Sequence, residues 1–260
     1  MIRVIALRSV DEAQDVAQEW ARLHAGGASD IFTSPEWCLA GWRAFPDLGT
    51  PLLLIALDGA GVLLGALPLT NGQLGPTWAA SPLGDEHDVQ VRRDQPSQGV
   101  VSALLRSVAS AAEAGNATLT DVRPGGLLVR AATSRRGCSA PVVHLNDPDP
   151  EFGALGCLPG WSRKRRRMLR SARRWLEGSG RITVQRLADR SSLAASLPAF
   201  ARTRLTAWTA RGRLAELPFM DRHPGFPEFL ADAASSLAAQ GRCLLGRLNR
   251  DGEPLAQALF

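Results

Sequence analysis

Carboxylates and an imidazole cluster most densely at Asp85-Glu86-His87-Asp88, which follows Gly84. Carboxylates and an imidazole are the groups that take a proton from an attacking amine. His87 and Asp88 are therefore candidate substrate-binding residues, weighed against the plainer reading of a solvated loop. Adjacent side chains diverge, so this stretch is not read as a metal site. A second candidate is the run of eight basic residues over 163–174, where Arg163, Arg166, Arg170 and Arg173 could attract an anion. A third is Arg204 with Trp208, four residues apart and so on one face of a helix, where they can line a pocket. The plainer reading of a helical Trp is core, and Trp37 and Trp42 are read that way. No Gly-x-Ser-x-Gly elbow, phosphate-binding Walker loop or dinucleotide fingerprint is present.

Composition narrows the classes. The 260 residues are 45% hydrophobic and 21% charged, which suits two modest domains with real cores and excludes disorder by composition. The four cysteines, Cys38, Cys138, Cys157 and Cys243, are far apart and lack CxxC spacing, so a reducing cytoplasm is expected and zinc is not. No apolar run reaches the roughly 18 residues of a membrane span, and the charged first twenty residues do not read as a secretory signal. The net charge of +5 divides into −5 over residues 1–150 and +10 over residues 151–260. Arginine supplies 29 of the 30 basic side chains, Lys164 being the exception, and this uniform bias is read as genome composition. The 163–174 run invites a nucleic-acid reading, but no helix-turn-helix, zinc-finger or RNA-motif pattern accompanies it. A solvated face, or attraction of an anionic substrate, ranks ahead.

These groups must be carried by elements that local rules predict. Residues 1–8 alternate as a strand, and Ser9 with Glu12 forms a capping box for a helix with Ala13, Val16, Ala17, Trp20 and Leu23 on one face. Gly26-Gly27 ends it. Ser34-Pro35-Glu36 opens a second helix as cap, first-turn proline and dipole partner. Residues 52–57 and 62–69 form a hairpin about Asp58-Gly59-Ala60-Gly61. Short strands and loops fill 70–98, a helix spans 100–114, and strands are expected at 119–122 and 141–145. Residues 146–160 read as a boundary. Beyond it come a helix over 162–177, with Met168, Leu169, Ala172, Trp175 and Leu176 as an apolar stripe, and a strand over 181–187. A helix over 193–209, broken near its start by Pro198, a helix over 226–240 and a hairpin of 243–248 with 255–260 complete the pattern.

The two hairpins align without gaps. Leu53, Leu54, Leu57, Gly61 and Leu64 then fall on Leu244, Leu245, Leu248, Gly252 and Leu255. With one step of slippage upstream, Pro35-Glu36-Trp37 falls on Pro227-Glu228-Phe229. The matched order of elements predicts a duplicated unit. The first copy continues past Leu69, whereas Phe260, its counterpart, is the last residue, so the second copy is expected to be incomplete.

Six motifs in order resemble one known family. Phe32-Thr33-Ser34-Pro35-Glu36-Trp37, with Trp42 and Phe45, opens the pattern; Asp58-Gly59, Leu64-Gly65 and Pro68-Leu69 form its hairpin. Asp88-Val89 stands where the family has Asp followed by an aromatic residue, which is missing here. Ser162 with Arg166, Leu169, Arg170 and Arg173 matches its basic helix; Phe200, Arg204, Trp208 and Gly212 match the next. Asp251-Gly252-Glu253-Pro254, Ala256 and Leu259-Phe260 match its second hairpin. The chain thus resembles the CelD-like acetyltransferases, relatives of the GNAT acyltransferases and of the Fem-type transferases with two GNAT-like halves. The resemblance implies an α/β fold of tandem GNAT-like domains, one over 1–150 and an incomplete one over 151–260 that begins with the basic helix. It implies transfer of an acyl group, usually acetyl from acetyl-CoA or another acyl-CoA, to an amine of a sugar, polysaccharide precursor or other small molecule. The family's acyl-CoA cradle, a turn presenting N–H groups to pyrophosphate, follows the second hairpin and is absent from this sequence. In the first copy only Gln98-Gly99 comes near it. A non-catalytic binding or scaffold protein of envelope polysaccharide synthesis is the alternative, and a nucleic-acid binder ranks last.

Overall fold

Chain chemistry fixes the first elements in a computed structural model, which describes residues 2–26, 31–81, 83–84, 87–112, 119–123, 125–131, 162–178, 180–210, 212 and 223–259. Strand β1 (Arg3–Leu7) leads into α1 (Val10–Asp15), capped as expected: the Glu12 N–H donates to Ser9 Oγ at 3.1 Å. The returning Glu12 carboxylate accepts from the Arg8 N–H, one residue before the cap. The single predicted helix is interrupted at Val16 and resumes as α2 (Ala17–Gly26). Helix α3 (Pro35–Ala44) begins at Ser34, whose Oγ accepts from the Trp37 N–H at 3.3 Å. Asp58 Oδ1 accepts from the Ala60 and Val62 N–H groups, closing the turn between β2 (Thr50–Leu57) and β3 (Leu63–Gly72). Strands β4 (Gly75–Trp78) and β5 (Gln90–Val91) both pair with β3. Helix α4 (Ser97–Ala111) and the short α5 (Leu127–Ala131) follow.

Two compact units emerge: residues 1–136 with 189–242, and residues 137–188 with 243–260. In the first, the antiparallel sheet β1-β2-β3-β4 is covered on both faces, which explains why β2 and β3 read as near-continuous apolar runs. Leu52, Leu54, Leu67 and Leu69 pack with Val100, Val101, Leu104 and Val108 of α4. Gly65 of β3 makes this approach possible, since a Cβ there would sit 2.6 Å from Val100 Cγ1 and 2.9 Å from the Gln90 carbonyl. Each fully buried leucine contributes about 1.5–3 kcal/mol. Elsewhere in the unit Trp20 and Trp42 lie with centroids 6.2 Å apart, their indole N–H groups donating to Gln90 and Thr70. Trp37 and Trp42 are buried, as their helical spacing suggested.

Helices α7 (Arg190–Ala210) and α8 (Phe226–Ala238) belong to the same unit and pack on each other, with α8 also on α3. Phe229 is fully buried, with ring centroids 4.7 Å from Trp37 and 5.3 Å from Phe45. Helix α7 runs through Pro198 rather than breaking there. The carbonyl that the proline leaves without its usual donor is that of Ala194, an exposed residue whose carbonyl water can serve.

The second unit holds α6 (Arg163–Gly178) and an antiparallel sheet β6-β7-β8, formed by Ile182–Leu187, Leu245–Arg250 and Glu253–Leu259. Met168 and Trp175 of the expected apolar stripe are 62% and 64% exposed, so these two side chains are not core. The pairing of this sheet follows that of β1-β2-β3. Arg3↔Leu57 and Leu7↔Leu53 have counterparts in Thr183↔Asn249 and Leu187↔Leu245. The register irregularity at Ala56/Leu57 has its counterpart at Leu248/Asn249. In this correspondence Leu57 matches Asn249, one residue beyond the gapless alignment, whereas Leu64 still matches Leu255. The single-residue slip thus falls in the turn, not between helix and strand. Residues 119–122 do not form the expected strand: Asp121 takes a left-handed φ of 51°, leaving one parallel bridge between His87 and Val122. The strand expected at 141–145 and the boundary at 146–160 lie outside the described residues.

Candidate functional site

Beside β5 the first unit opens into a cavity of about 570 Å³. Its floor is set by the pairing of Gly65 with Val91 and Ala66 with Gln90, and by the Arg92 N–H donated to the Leu64 carbonyl at 2.9 Å. Gln90 anchors this edge from beneath. Its Oε1 accepts from the Trp20 indole at 2.8 Å and its Nε2 donates to the Thr33 carbonyl at 2.5 Å. Four arginines line the cavity: Arg92 and Arg93 after β5, Arg123 from the 119–123 segment, and Arg130 on α5. Arg92 is held as a fork by Asp94, its Nε and Nη2 donating at 3.0 and 2.8 Å. That pairing lowers the Asp94 carboxyl below the usual carboxylate range and raises the Arg92 guanidinium above its own. Arg130 Nε donates to the Gly125 carbonyl at 2.9 Å.

Asp88 forms part of the cavity wall through a positioning role. Its two oxygens accept from the Leu127 and Leu128 N–H groups at 2.8 and 3.0 Å, capping α5, and Oδ1 also accepts from the Val89 N–H. Gly126 permits this, because a Cβ there would lie 2.5 Å from Asp88 Oδ2. His87 is 1% exposed and stacked on Trp78 with centroids 4.7 Å apart, so in this conformation it meets side chains rather than solvent. Its carbonyl accepts from the Arg123 N–H at 2.8 Å, which ties the 119–123 segment to the cavity edge. Asp85 and Glu86 lie outside the described residues.

The other expected site residues stand on other elements. Arg204 is exposed on α7; Trp208 is on the same helix, its side chain outside the described residues. Arg163, Arg170 and Arg173 are exposed on α6, which also carries Arg166. Of the expected site residues, the cavity includes Asp88. The residues that sequence reasoning missed are Gln90, Arg92, Arg93, Arg123 and Arg130. The signal for the first arginines was the pair Arg92-Arg93 in the short stretch between β5 and α4.

Residues 163–259 match the family model of the acetyltransferase (GNAT) domain. No curated protein and no solved structure matches the chain. The match spans rather more than a third of the sequence, drawing on both compact units. GNAT domains generally bind acetyl-CoA or another acyl-CoA, and the match supports acyl-CoA-dependent N-acetyl transfer at that general level. Two helix starts in the matched stretch, those of α7 and α8, are not open to a phosphate. At the start of α7, Asp189 already accepts from the Ser192 N–H and the Ser191 hydroxyl, and these bonds hold its carboxyl well below the usual range. At α8 the Phe226 N–H donates to the His223 carbonyl, and Pro227 has no N–H to offer. No helix among the described residues is long and apolar enough to cross a membrane.

Proposed function

We propose that this protein is an acyl-CoA-dependent N-acyltransferase, most simply an acetyltransferase, of the CelD-like tandem GNAT type. Its acceptor is an amine of a sugar, a polysaccharide precursor or another small molecule, and it acts in the cytoplasm. The family match over residues 163–259 carries this reading. The parallel between the two sheets, down to the irregularity at Ala56/Leu57 and Leu248/Asn249, supports two copies of one unit, set near 1–150 and 151–260. Trp37 and Phe229, equated by sequence, also meet face to edge at 4.7 Å, as equivalent residues do near a two-fold axis. The exposed arginines of α6 would steer an anionic donor or nucleotide-linked acceptor.

The test is release of free thiol from acetyl-CoA by the full chain with a panel of amino sugars and simple amines. Acceptor-dependent release above the uncatalysed rate supports the assignment. Equal rates with and without protein across the panel refute it. A second reading, a binding protein of envelope polysaccharide synthesis without catalysis, is favoured by the occupied helix starts of α7 and α8. It predicts acceptor binding without thiol release.

A further inference from the structure

Helix α6 keeps two chemistries on opposite sides. Arg163, Arg167, Arg170 and Arg174 recur at steps of four, three and four, so they share one face. Met168, Ala172 and Trp175 recur at steps of four and three and share the opposite face. All seven are exposed. The stretch 163–174 carries eight basic and no acidic side chains. Among the described residues no acidic side chain pairs with Arg163, Lys164, Arg167 or Arg170. A solvated face accounts for the arginines but not for Met168 and Trp175, which are 62% and 64% exposed. Within its unit no described strand packs along α6. A soluble anion or a nucleic-acid backbone would use the basic side alone. A basic helix with tryptophan and methionine on its other side fits a boundary that is anionic at its surface and apolar just beneath. The indole ring favours that depth, with an apolar body and one polar N–H. A helix is about 10–12 Å across with its side chains, close to the screening length of about 8 Å at physiological salt. Guanidiniums on the far side therefore still feel an anionic surface, and Lys164, beside the apolar stripe, reaches the headgroups along its own methylenes.

We propose that α6 is an interfacial helix that docks the protein on an anionic phospholipid surface. Met168 and Trp175 enter the headgroup boundary, and the basic side chains supply the attraction to lipid charge. The contact is peripheral and spans nothing. It goes beyond the acetyl-transfer reading and stands independently of it, because docking is measured without turnover.

Co-sedimentation of the full chain with vesicles tests it, using phosphatidylcholine alone and phosphatidylcholine mixed with phosphatidylglycerol, at low and at physiological salt. The expected result is binding to the mixed vesicles at both salts, at least about tenfold tighter than to phosphatidylcholine. It should weaken at least about tenfold in Arg163→Gln/Arg170→Gln and at least about fivefold in Met168→Ser/Trp175→Ser. Arg106→Gln/Arg202→Gln, exposed on α4 and α7, should leave it unchanged. No binding to mixed vesicles overturns the proposal, and so does equal binding to both kinds. Binding that ignores the serine substitutions overturns it too, since charge alone would then suffice. Duplex DNA bound at physiological salt without any preference for anionic vesicles gives the patch to nucleic acid. A concentration-dependent dimer that Met168→Ser/Trp175→Ser abolishes, with no vesicle binding, gives the stripe to a second copy. Either result refutes lipid docking. If the double serine variant fails to fold, Trp175→Ser alone carries the test, and unchanged vesicle affinity in it refutes the proposal.

Discussion

Replacing Phe229 by alanine tests whether a helix inside the acetyltransferase-matched stretch is built into the core of the first unit. The side chain has 0% exposure and its ring lies 4.7, 5.3 and 6.5 Å from Trp37, Phe45 and Phe226. Truncating a buried phenylalanine costs about 3–5 kcal/mol in lost transfer energy and cavity formation. Tightly packed aromatic partners place this site toward the upper end, because rings collapse poorly into the space. With a urea slope of about 2 kcal/mol per molar, the unfolding midpoint should fall by about 1.5–2.5 M. Urea titration followed by indole fluorescence reads this directly, as Trp20, Trp37, Trp42 and Trp78 all sit in that unit. Phe229→Leu, which keeps most of the volume, should cost under about 1.5 kcal/mol. A cycle with Trp37→Leu should show coupling of about 0.5–1.5 kcal/mol. A midpoint shift under about 0.5 M for Phe229→Ala, or strict additivity with Trp37→Leu, would refute the claim that α3 and α8 share one core.

Three further outcomes follow from the geometry. Asp88→Ala removes the cap of α5 and should cost about 1–2 kcal/mol, with faster amide exchange at Leu127 and Leu128; protection as in the parent chain would contradict the assignment. Gly65→Ala drives a Cβ toward Val100 and the Gln90 carbonyl and should cost about 1–3 kcal/mol by thermal denaturation, more than the same change at Gly59, where a Cβ meets open space. At Asp47 the His223 Nε2 hydrogen bond, 3.0 Å long, lowers the carboxyl pKa. Its stabilisation is therefore present above the ordinary carboxylate value and is lost as pH falls through the lower folded value, so Asp47→Asn should flatten that part of the acid limb of a melting-temperature profile.

What could be read in advance was whatever is decided within a few residues. Ser9, Ser34 and Asp58 act on N–H groups two to four positions away, so their caps and turn follow from spacing alone. The cavity was not legible, because its walls come from Arg92, Arg123 and Arg130, which only the β3–β5 pairing and the His87–Val122 bridge bring together. Gln90 illustrates the difficulty. In sequence it is one polar residue in a loop-rich stretch, and its burial depends on Trp20 and on Thr33, 70 and 57 positions earlier. His87 and Asp88 drew notice for their titratable groups, but folding uses one in an aromatic stack and the other as a helix cap. A cluster of ionisable residues is thus a weak guide when backbone N–H groups compete for the carboxylates. Arginines from distant segments meet at the cavity only once the sheet has formed, and there the fold already engages them, Arg92 with Asp94 and Arg130 with the Gly125 carbonyl.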